Sequence, residues 1–234
     1  GSEMCIRDRD APVRLYGTHA VCAAVQNPQR QVIKLWATAN GAKTISELKT
    51  AANLMPEQLS PQELARLLPP DAVHQGLVAD VSPLPNTSLE TIMARARPII
   101  VLDQVVDPRN VGAILRAAAF FDAAGIIVTR HHSPRAEGAM AKTASGALEI
   151  VPLVAVANLA RILTMLADAG YQVLGLDEHG EQTIDQIDTN QPLACVMGAE
   201  GKGLRRLTRE TCTELVRLPT GKTGDTGAGP QNEF

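Results

Sequence analysis

Apolar positions in the second half of the chain fall into short runs of strand length, at residues 99–103, 126–129, 149–154, 172–176, 193–197 and 214–218. Between them, residues 111–122, 135–144, 157–169 and 203–210 carry the three-to-four spacing of helices. Strand and helix in alternation imply parallel strands joined by crossover helices, hence an α/β fold with an open sheet covered on both faces. Ligands of such sheets sit outside the carboxyl ends of the strands. Asp103–Asn110, Asp177–Gly180 and Gly198–Gly203 fall there.

The first half predicts a smaller α/β unit over residues 14–81. Residues 17–26 read as a helix, and 31–38 as a strand with Val32, Leu35 and Trp36 inward. A helix is expected over 44–54, capped by Thr44 or Ser46, and another over 60–68. The second has Ser60 as cap, Pro61 in the first helical position and Glu63 placed to close a capping box. A strand follows over 74–82, after a turn at Gly76. Residues 82–98 hold three prolines and have the composition of a linker, which puts the boundary there and the second domain at 99–219. Residues 1–13 show no hydrophobic period, and GSEMCIRDR at their start reads as non-native or disordered sequence. TGKTGDTGAGPQNEF, residues 220–234, is almost free of apolar residues and reads as flexible.

Composition changes this picture little. Hydrophobic residues at 45% and charged ones at 20% are ordinary for a globular protein with a sizeable core. A net charge of −3 does not advertise a polyanion partner, yet Arg109, Arg116, Arg130, Arg135, Lys142, Lys202, Arg205, Arg206 and Arg209 gather near the glycine-bearing loops. A local basic face can still hold a phosphate backbone. No run has the length of a membrane span. The four cysteines form no CxxC pair and no spacing with histidine, so reduced thiols in a cytoplasmic protein, with no metal, are expected. His74, His131, His132 and His179 lack ligand partners at metal spacing and read as turn or surface residues.

Two motifs carry candidate chemistry. In Asn110-x-Gly112-x-x-x-Arg116, Asn110 can cap a helix and Gly112 can admit a close neighbour. Between Val111 and Phe121 the only charge is Arg116, so the pattern predicts a buried helix with a paired guanidinium. The second motif is Met197-Gly-Ala-Glu-Gly-Lys-Gly-Leu204, between a strand and a helix. Its order, G-x-x-G-x-G, is not that of a dinucleotide site, and Glu200 has no use in a bare turn. GKTG at 221–224 is no phosphate loop, since Val216 stands where the first glycine belongs.

LDQVVDPRNVGAILRAAAFF, AKTASGALEIVPLVAVANLAR and VMGAEGKGLRRLTRETCTELVRLP together resemble the SpoU/TrmH-type RNA 2'-O-ribose methyltransferases of the SPOUT superfamily. LYGTHAV and HQGLVADV are similar to the small L30e-like RNA-binding domain of the subgroup that modifies guanosine in large-subunit ribosomal RNA. The resemblance implies S-adenosylmethionine as methyl donor, large-subunit ribosomal RNA as substrate, a homodimer and a trefoil knot in the carboxyl-terminal sheet. By motif matching it implies catalytic positions for Asn110, Arg116 and Glu200. Cofactor positions would be Leu176, Met197, Gly198, Ala199, Gly201, Leu218 and Pro219, and RNA contacts Arg109, Arg135, Lys142 and Lys202. After Leu218–Pro219 the chain departs from the family's closing motif, which would complete the knot. A non-catalytic RNA-binding fragment therefore stays open as an alternative, and so does a transfer-RNA methyltransferase, because those enzymes share the catalytic motifs.

Overall fold

The computed structural model describes residues 11–48, 54–130, 138–188 and 190–219. The amino-terminal sheet has the order β1-β4-β2-β3, from β1 (Val13–Tyr16), β2 (Val32–Ala37), β3 (Glu57–Gln58) and β4 (Leu77–Val81). β4 lies antiparallel between β1 and β2, so Leu77, Val78, Ala79 and Val81 are all buried. β1 has no counterpart among the sequence expectations. Four residues at a sheet edge, one of them Arg14, carry too little apolar pattern to reveal it.

Helices α1 (Thr18–Gln26), α2 (Ala39–Ser46) and α3 (Pro61–Ala65) complete this unit. α2 begins earlier than the 44–54 expected, because Thr38 supplies the cap: its side chain accepts from Gly41 N at 3.2 Å. Gly41 also lies against the Gly76 carbonyl, where any side chain would collide. The Ser60–Glu63 capping box is present, with Ser60 N donating to the Glu63 carboxylate at 2.8 Å. Those bonds from Ser60 hold the Glu63 carboxyl below its ordinary range. α3 nevertheless ends at Ala65, short of the expected residue 68.

The second sheet is wholly parallel, in the order β7-β6-β5-β10-β8-β11-β9. Its strands are β5 (Ile99–Asp103), β6 (Gly125–Thr129), β7 (Leu153–Val156), β8 (Gln172–Leu176), β9 (Gln182–Thr183), β10 (Leu193–Gly198) and β11 (Glu214–Arg217). The helices are α4 (Leu89–Met93), α5 (Pro108–Phe120), α6 (Gly138–Ala144), α7 (Leu159–Asp168) and α8 (Arg206–Thr211). Side chains alternate across the strands as pleating requires. Ile99, Val101 and Ile127 join Leu159, Leu163 and Leu166 of α7 on one face. Leu102, Ile126 and Val128 join Val111 and Leu115 of α5 and Met140 of α6 on the other. β7 starts at Leu153 rather than 149, since residues 147–149 form a 3-10 turn. α8 starts at Arg206 rather than 203, because Gly203 is still part of the preceding turn.

Residues 82–98 do more than connect. Leu89 and Ile92 of α4 are buried in the second sheet's core, and the Tyr171 hydroxyl donates to the Met93 carbonyl at 3.0 Å. The two units also share one apolar cluster, which runs from Leu15, Val21 and Leu77 to Leu102, Val111, Leu115 and Met140. Across this boundary Arg30 pairs with Glu149 at 2.9 Å, their side chains 1% and 5% exposed. Asn27 donates to the same carboxylate at 2.7 Å, and Arg30 also reaches the Ser82 carbonyl.

α6 is wedged between the two units. A Cβ on Gly138 would run into the Tyr16 ring, and one on Gly112 of α5 would stand 2.6 Å from the Met140 carbonyl and 2.8 Å from Thr143 Cβ. Gly112→Ala is therefore expected to cost about 1–3 kcal/mol, the usual range for overpacking a close contact. Urea denaturation would measure it, and an unchanged midpoint would contradict the tight helix pair.

Candidate functional site

The chain leaves β5 toward β6 and β7 in one direction, whereas β10, β8, β11 and β9 lie on the other side of β5. The crevice at such a switch point, outside the carboxyl ends of β5 and β10, is where open α/β sheets take ligands. Gly198 and Asp103, the last residues of these strands, face each other in register. Asp103 is fully buried and accepts from Arg205 N at 3.0 Å and Arg205 Nε at 2.7 Å. That carboxylate ties the end of the glycine loop to the end of β5.

Residues 199–203 form a tight turn. The Ala199 carbonyl accepts from Gly203 N at 2.8 Å and from Lys202 N at 3.3 Å, closing an antiparallel bridge between Ala199 and Gly203. A Cβ on Gly198 would lie 2.5 Å from Leu204 N and run into the Gly203 main chain. Gly201 and Gly203 have φ of 74° and 63°, in the left-handed region that favours glycine, and open space lies where their side chains would be. The loop thus presents bare main chain beside free volume, a surface on which a ligand can lie directly against the backbone.

The ends of β8 and β11 flank it. Asp177 N donates to the Val216 carbonyl at 2.9 Å, and Arg209 pairs with the Asp177 carboxylate at 3.1 Å. Arg217 donates to the carbonyls of Gly180 and Glu181, both at 2.6 Å. Because β10, β8 and β11 are neighbours, Leu176, Met197, Gly198, Ala199, Gly201, Leu218 and Pro219 all lie at or just beyond the same end of three adjacent strands. Leu176 and Met197 are half-buried, and Leu218 and Pro219 are exposed.

The catalytic candidates stand differently from expectation. Asn110 is not the cap of α5; Asp107 is, its carboxylate accepting from Arg109 N at 2.9 Å, and Pro108 opens the helix. Asn110 sits one turn in and is exposed. Arg116 is exposed rather than buried. α5 buries Val111, Gly112, Leu115 and Ala118, and leaves Arg109, Ala113, Arg116 and Phe120 along an outward stripe. Alanine is compatible with either face, so the stretch around Arg116 read as greasier than it is. Glu200, at the tip of the glycine turn, is exposed as well. Asn110 and Glu200 share the carboxyl end of the sheet. Arg116 starts about 9 Å further along α5, six residues at the helical rise, and its side chain tilts back toward the helix start.

Among the cations expected to touch RNA, Lys202 is exposed on the glycine turn. Arg109 pairs with Asp71 at 3.0 Å, both well exposed. Lys142 donates to the Val73 carbonyl and lies over the Tyr16 ring, with partial burial drawing its pKa down, so it joins the two units. Arg135 lies outside the described residues, as do His131 and His132. Sequence reasoning passed over Asp103 with Arg205, and Asp177 with Arg209. An acidic residue directly ending an apolar strand was the signal available for the first pair.

Burial pushes the Cys195 thiol up to about 11 and the Cys212 thiol, also near the Asp103 charge, up to about 12. Both stay protonated at neutral pH and are poor nucleophiles. Among the described residues no cluster of His, Cys, Asp or Glu could hold a metal ion, and no helix is long and apolar enough to cross a membrane.

Comparison with known proteins agrees with this architecture. Residues 97–225 match the SpoU rRNA Methylase family, and residues 14–87 match the family described as RNA 2'-O ribose methyltransferase substrate binding. The chain is 42% identical over 216 residues to the 23S rRNA (guanosine-2'-O-)-methyltransferase RlmB of Pseudomonas putida, spanning 88% of this chain and 86% of that protein. To RlmB of Vibrio cholerae it is 38% identical over 214 residues, with the same coverage. The SpoU methyltransferase AviRb of Streptomyces viridochromogenes, solved with AdoMet, superposes with a TM-score of 0.76 at 24% identity, covering 100% of this chain and 88% of that one. At that identity the likeness is one of fold. With a family match across more than half its length and relatives of this identity over most of theirs, the chain belongs to the SpoU rRNA methylase family.

Proposed function

We propose that this protein transfers a methyl group from S-adenosylmethionine to the ribose 2'-hydroxyl of a guanosine in large-subunit ribosomal RNA. The observation that carries the reading is the meeting of the glycine turn 198–203 with the ends of β8 and β11, beside the start of α5. The open main chain at Gly201 and Gly203, with Leu176, Met197 and Leu218 around it, fits a nucleoside lying flat against the backbone. These residues, with Gly198, Ala199 and Pro219, would hold the cofactor, which supplies a methyl group on a sulfonium centre.

The remaining chemistry falls to the chain. The 2'-hydroxyl must lose its proton as it attacks, so negative charge grows on its oxygen. Arg116 brings a guanidinium, a group that does not serve as a general base. Its role in this reading is to stabilise the developing alkoxide, or to bind the adjacent phosphate so that the phosphate takes the proton. Glu200 orients the guanidinium and balances its charge, and Asn110 positions the ribose. Lys202 and Arg109 hold the RNA backbone, the latter by exchanging Asp71 for phosphate.

The reading includes a homodimer. Phe120 and Phe121, 83% and 73% exposed at the end of the Arg116 stripe, support a second copy covering that stripe and removing Arg116 from water. The family's trefoil knot would need a threading segment after Pro219, where residues 220–234 depart from the closing motif. A cytoplasmic site of action goes with the substrate.

The test is transfer of labelled methyl to a large-subunit RNA transcript, with Arg116→Lys in parallel. Arg116→Lys should lower turnover about 10²–10³-fold and leave S-adenosylmethionine affinity unchanged by calorimetry. A near wild-type rate would remove Arg116 from the chemistry. A chain that binds RNA but neither binds the cofactor nor transfers methyl would favour the non-catalytic reading.

A further inference from the structure

α8 is a short helix with little apolar hold on the protein. Of residues 204–211 only Leu204 and Thr208 are buried, and Leu207 is exposed. Its place is set instead by two ion pairs. Arg205, the residue before the helix, gives its main-chain N–H and its Nε to Asp103, at 3.0 and 2.7 Å. Arg209 N donates to the Arg205 carbonyl at 2.9 Å, so the two arginines stand one turn apart, and Arg209 reaches the Asp177 carboxylate at 3.1 Å. The acids are the sealed partners, with side chains 0% and 8% exposed, whereas both arginines reach solvent. A carboxylate shut off from water needs such a partner.

The two acids belong to different strands. Asp103 closes β5 and Asp177 directly follows β8, and β10 lies between those strands. The glycine turn leaves β10 at Gly198 and runs straight into Leu204 and Arg205. Its far end therefore straddles the strand it came from, tied on the β5 side through Arg205 and on the β8 side through Arg209. The main chain of Gly203 and Leu204 lies directly against Gly198, so any shift of α8 is felt in the turn. From this two-sided anchorage we infer that Asp103 and Asp177 are positioning residues, which act through Arg205 and Arg209 to hold the turn in the shape that seats S-adenosylmethionine. The identity of the ligand rests on the function proposed above; the clamp does not.

Asp103→Asn and Asp177→Asn test it with the least disturbance. Each keeps the shape of the side chain and removes its charge, and the arginine left behind can be hydrated. In Asp103→Asn the new amide nitrogen is itself a donor, so one of the two bonds from Arg205 is lost. Arg206→Gln is the control, since its side chain is well exposed and pairs only with Glu210. Cofactor affinity is measured by calorimetry on the full chain. Hydrogen exchange without cofactor follows the amides of Lys202 and Gly203, which bond to the Ala199 carbonyl and to neither acid. Each acid variant should weaken S-adenosylmethionine binding about tenfold, part of the roughly hundredfold that a misplacement of an ångström costs. The two amides should exchange faster, while those of β6 keep their parent rates. In methyl transfer, KM for the cofactor should rise by the same factor and kcat should change less, since bound cofactor re-forms the turn. Arg206→Gln should stay within about twofold of the parent throughout.

Parent affinity in both acid variants would overturn the inference. So would a lowered urea midpoint or a lower kcat with KM and exchange in the turn unchanged, the signature of a purely structural role. A loss confined to one acid variant would overturn the two-sided clamp. A parent chain that binds no S-adenosylmethionine would sink the proposed function; faster exchange at Lys202 and Gly203 in the acid variants would then still establish the clamp, and unchanged exchange would overturn it.

Discussion

Glu149→Ala should destabilise the protein by about 3–5 kcal/mol, the range for removing one partner of a buried ion pair. The guanidinium left behind is nearly sealed from water, its side chain 1% exposed, and Glu149 receives both its Nε and one terminal nitrogen. Asn27 would lose its acceptor as well. The remaining bond from Arg30 to the Ser82 carbonyl cannot neutralise the charge. Urea denaturation followed by circular dichroism would show the loss as a lowered midpoint. The double replacement Arg30→Met with Glu149→Leu should recover most of it, because two apolar residues of similar length leave no uncompensated charge. If Glu149→Ala unfolds at the parent midpoint, the carboxylate is not what satisfies Arg30, and the junction is looser than described.

Gly198→Ala should weaken S-adenosylmethionine binding by about two orders of magnitude, the effect of shifting a site by roughly an ångström. The added methyl would meet Leu204 N at 2.5 Å and the Gly203 main chain, all backbone rather than the yielding end of a side chain. Relief requires opening the Ala199–Gly203 bridge, and with it the turn that presents Gly201 to the ligand. Lys202→Ala is the control. Its side chain is exposed, and only its main-chain N–H holds the turn, so cofactor affinity should stay within about twofold, a few tenths of a kcal/mol, as for an ordinary surface substitution. Calorimetry of the two variants gives the comparison, and equal affinities would mean that the glycine turn is not the cofactor seat.

The parallel sheet was legible because its information is local. Every strand but the two-residue β9, which is polar and was not expected, is a short apolar run, most crossovers are a helix-length period, and ligand loops follow by rule at the carboxyl ends. The cofactor candidates, which the family resemblance implied, stand together at the ends of β8, β10 and β11. Arg116 misled because alanines at 113 and 117 count as apolar in a pattern yet sit comfortably in water. The start of α2 was missed because its cap, Thr38, is favoured by a close approach between Gly41 and Gly76, 35 residues apart in sequence. Arg30 and Glu149 lie 119 residues apart, and nothing near either predicts the other. Long-range polar partners of this kind have no period and no local composition to betray them.

The shared apolar cluster and the Arg30–Glu149 pair bear on how the two units can move. Swinging the amino-terminal sheet away from the second would wet Leu15, Val21 and Leu77 on one side and Leu102 and Met140 on the other. It would also strand two charges. The protein therefore resembles a fixed caliper: the spacing between the two units is set when the chain folds. In the function proposed above, an RNA would have to fit that span rather than draw the units to it.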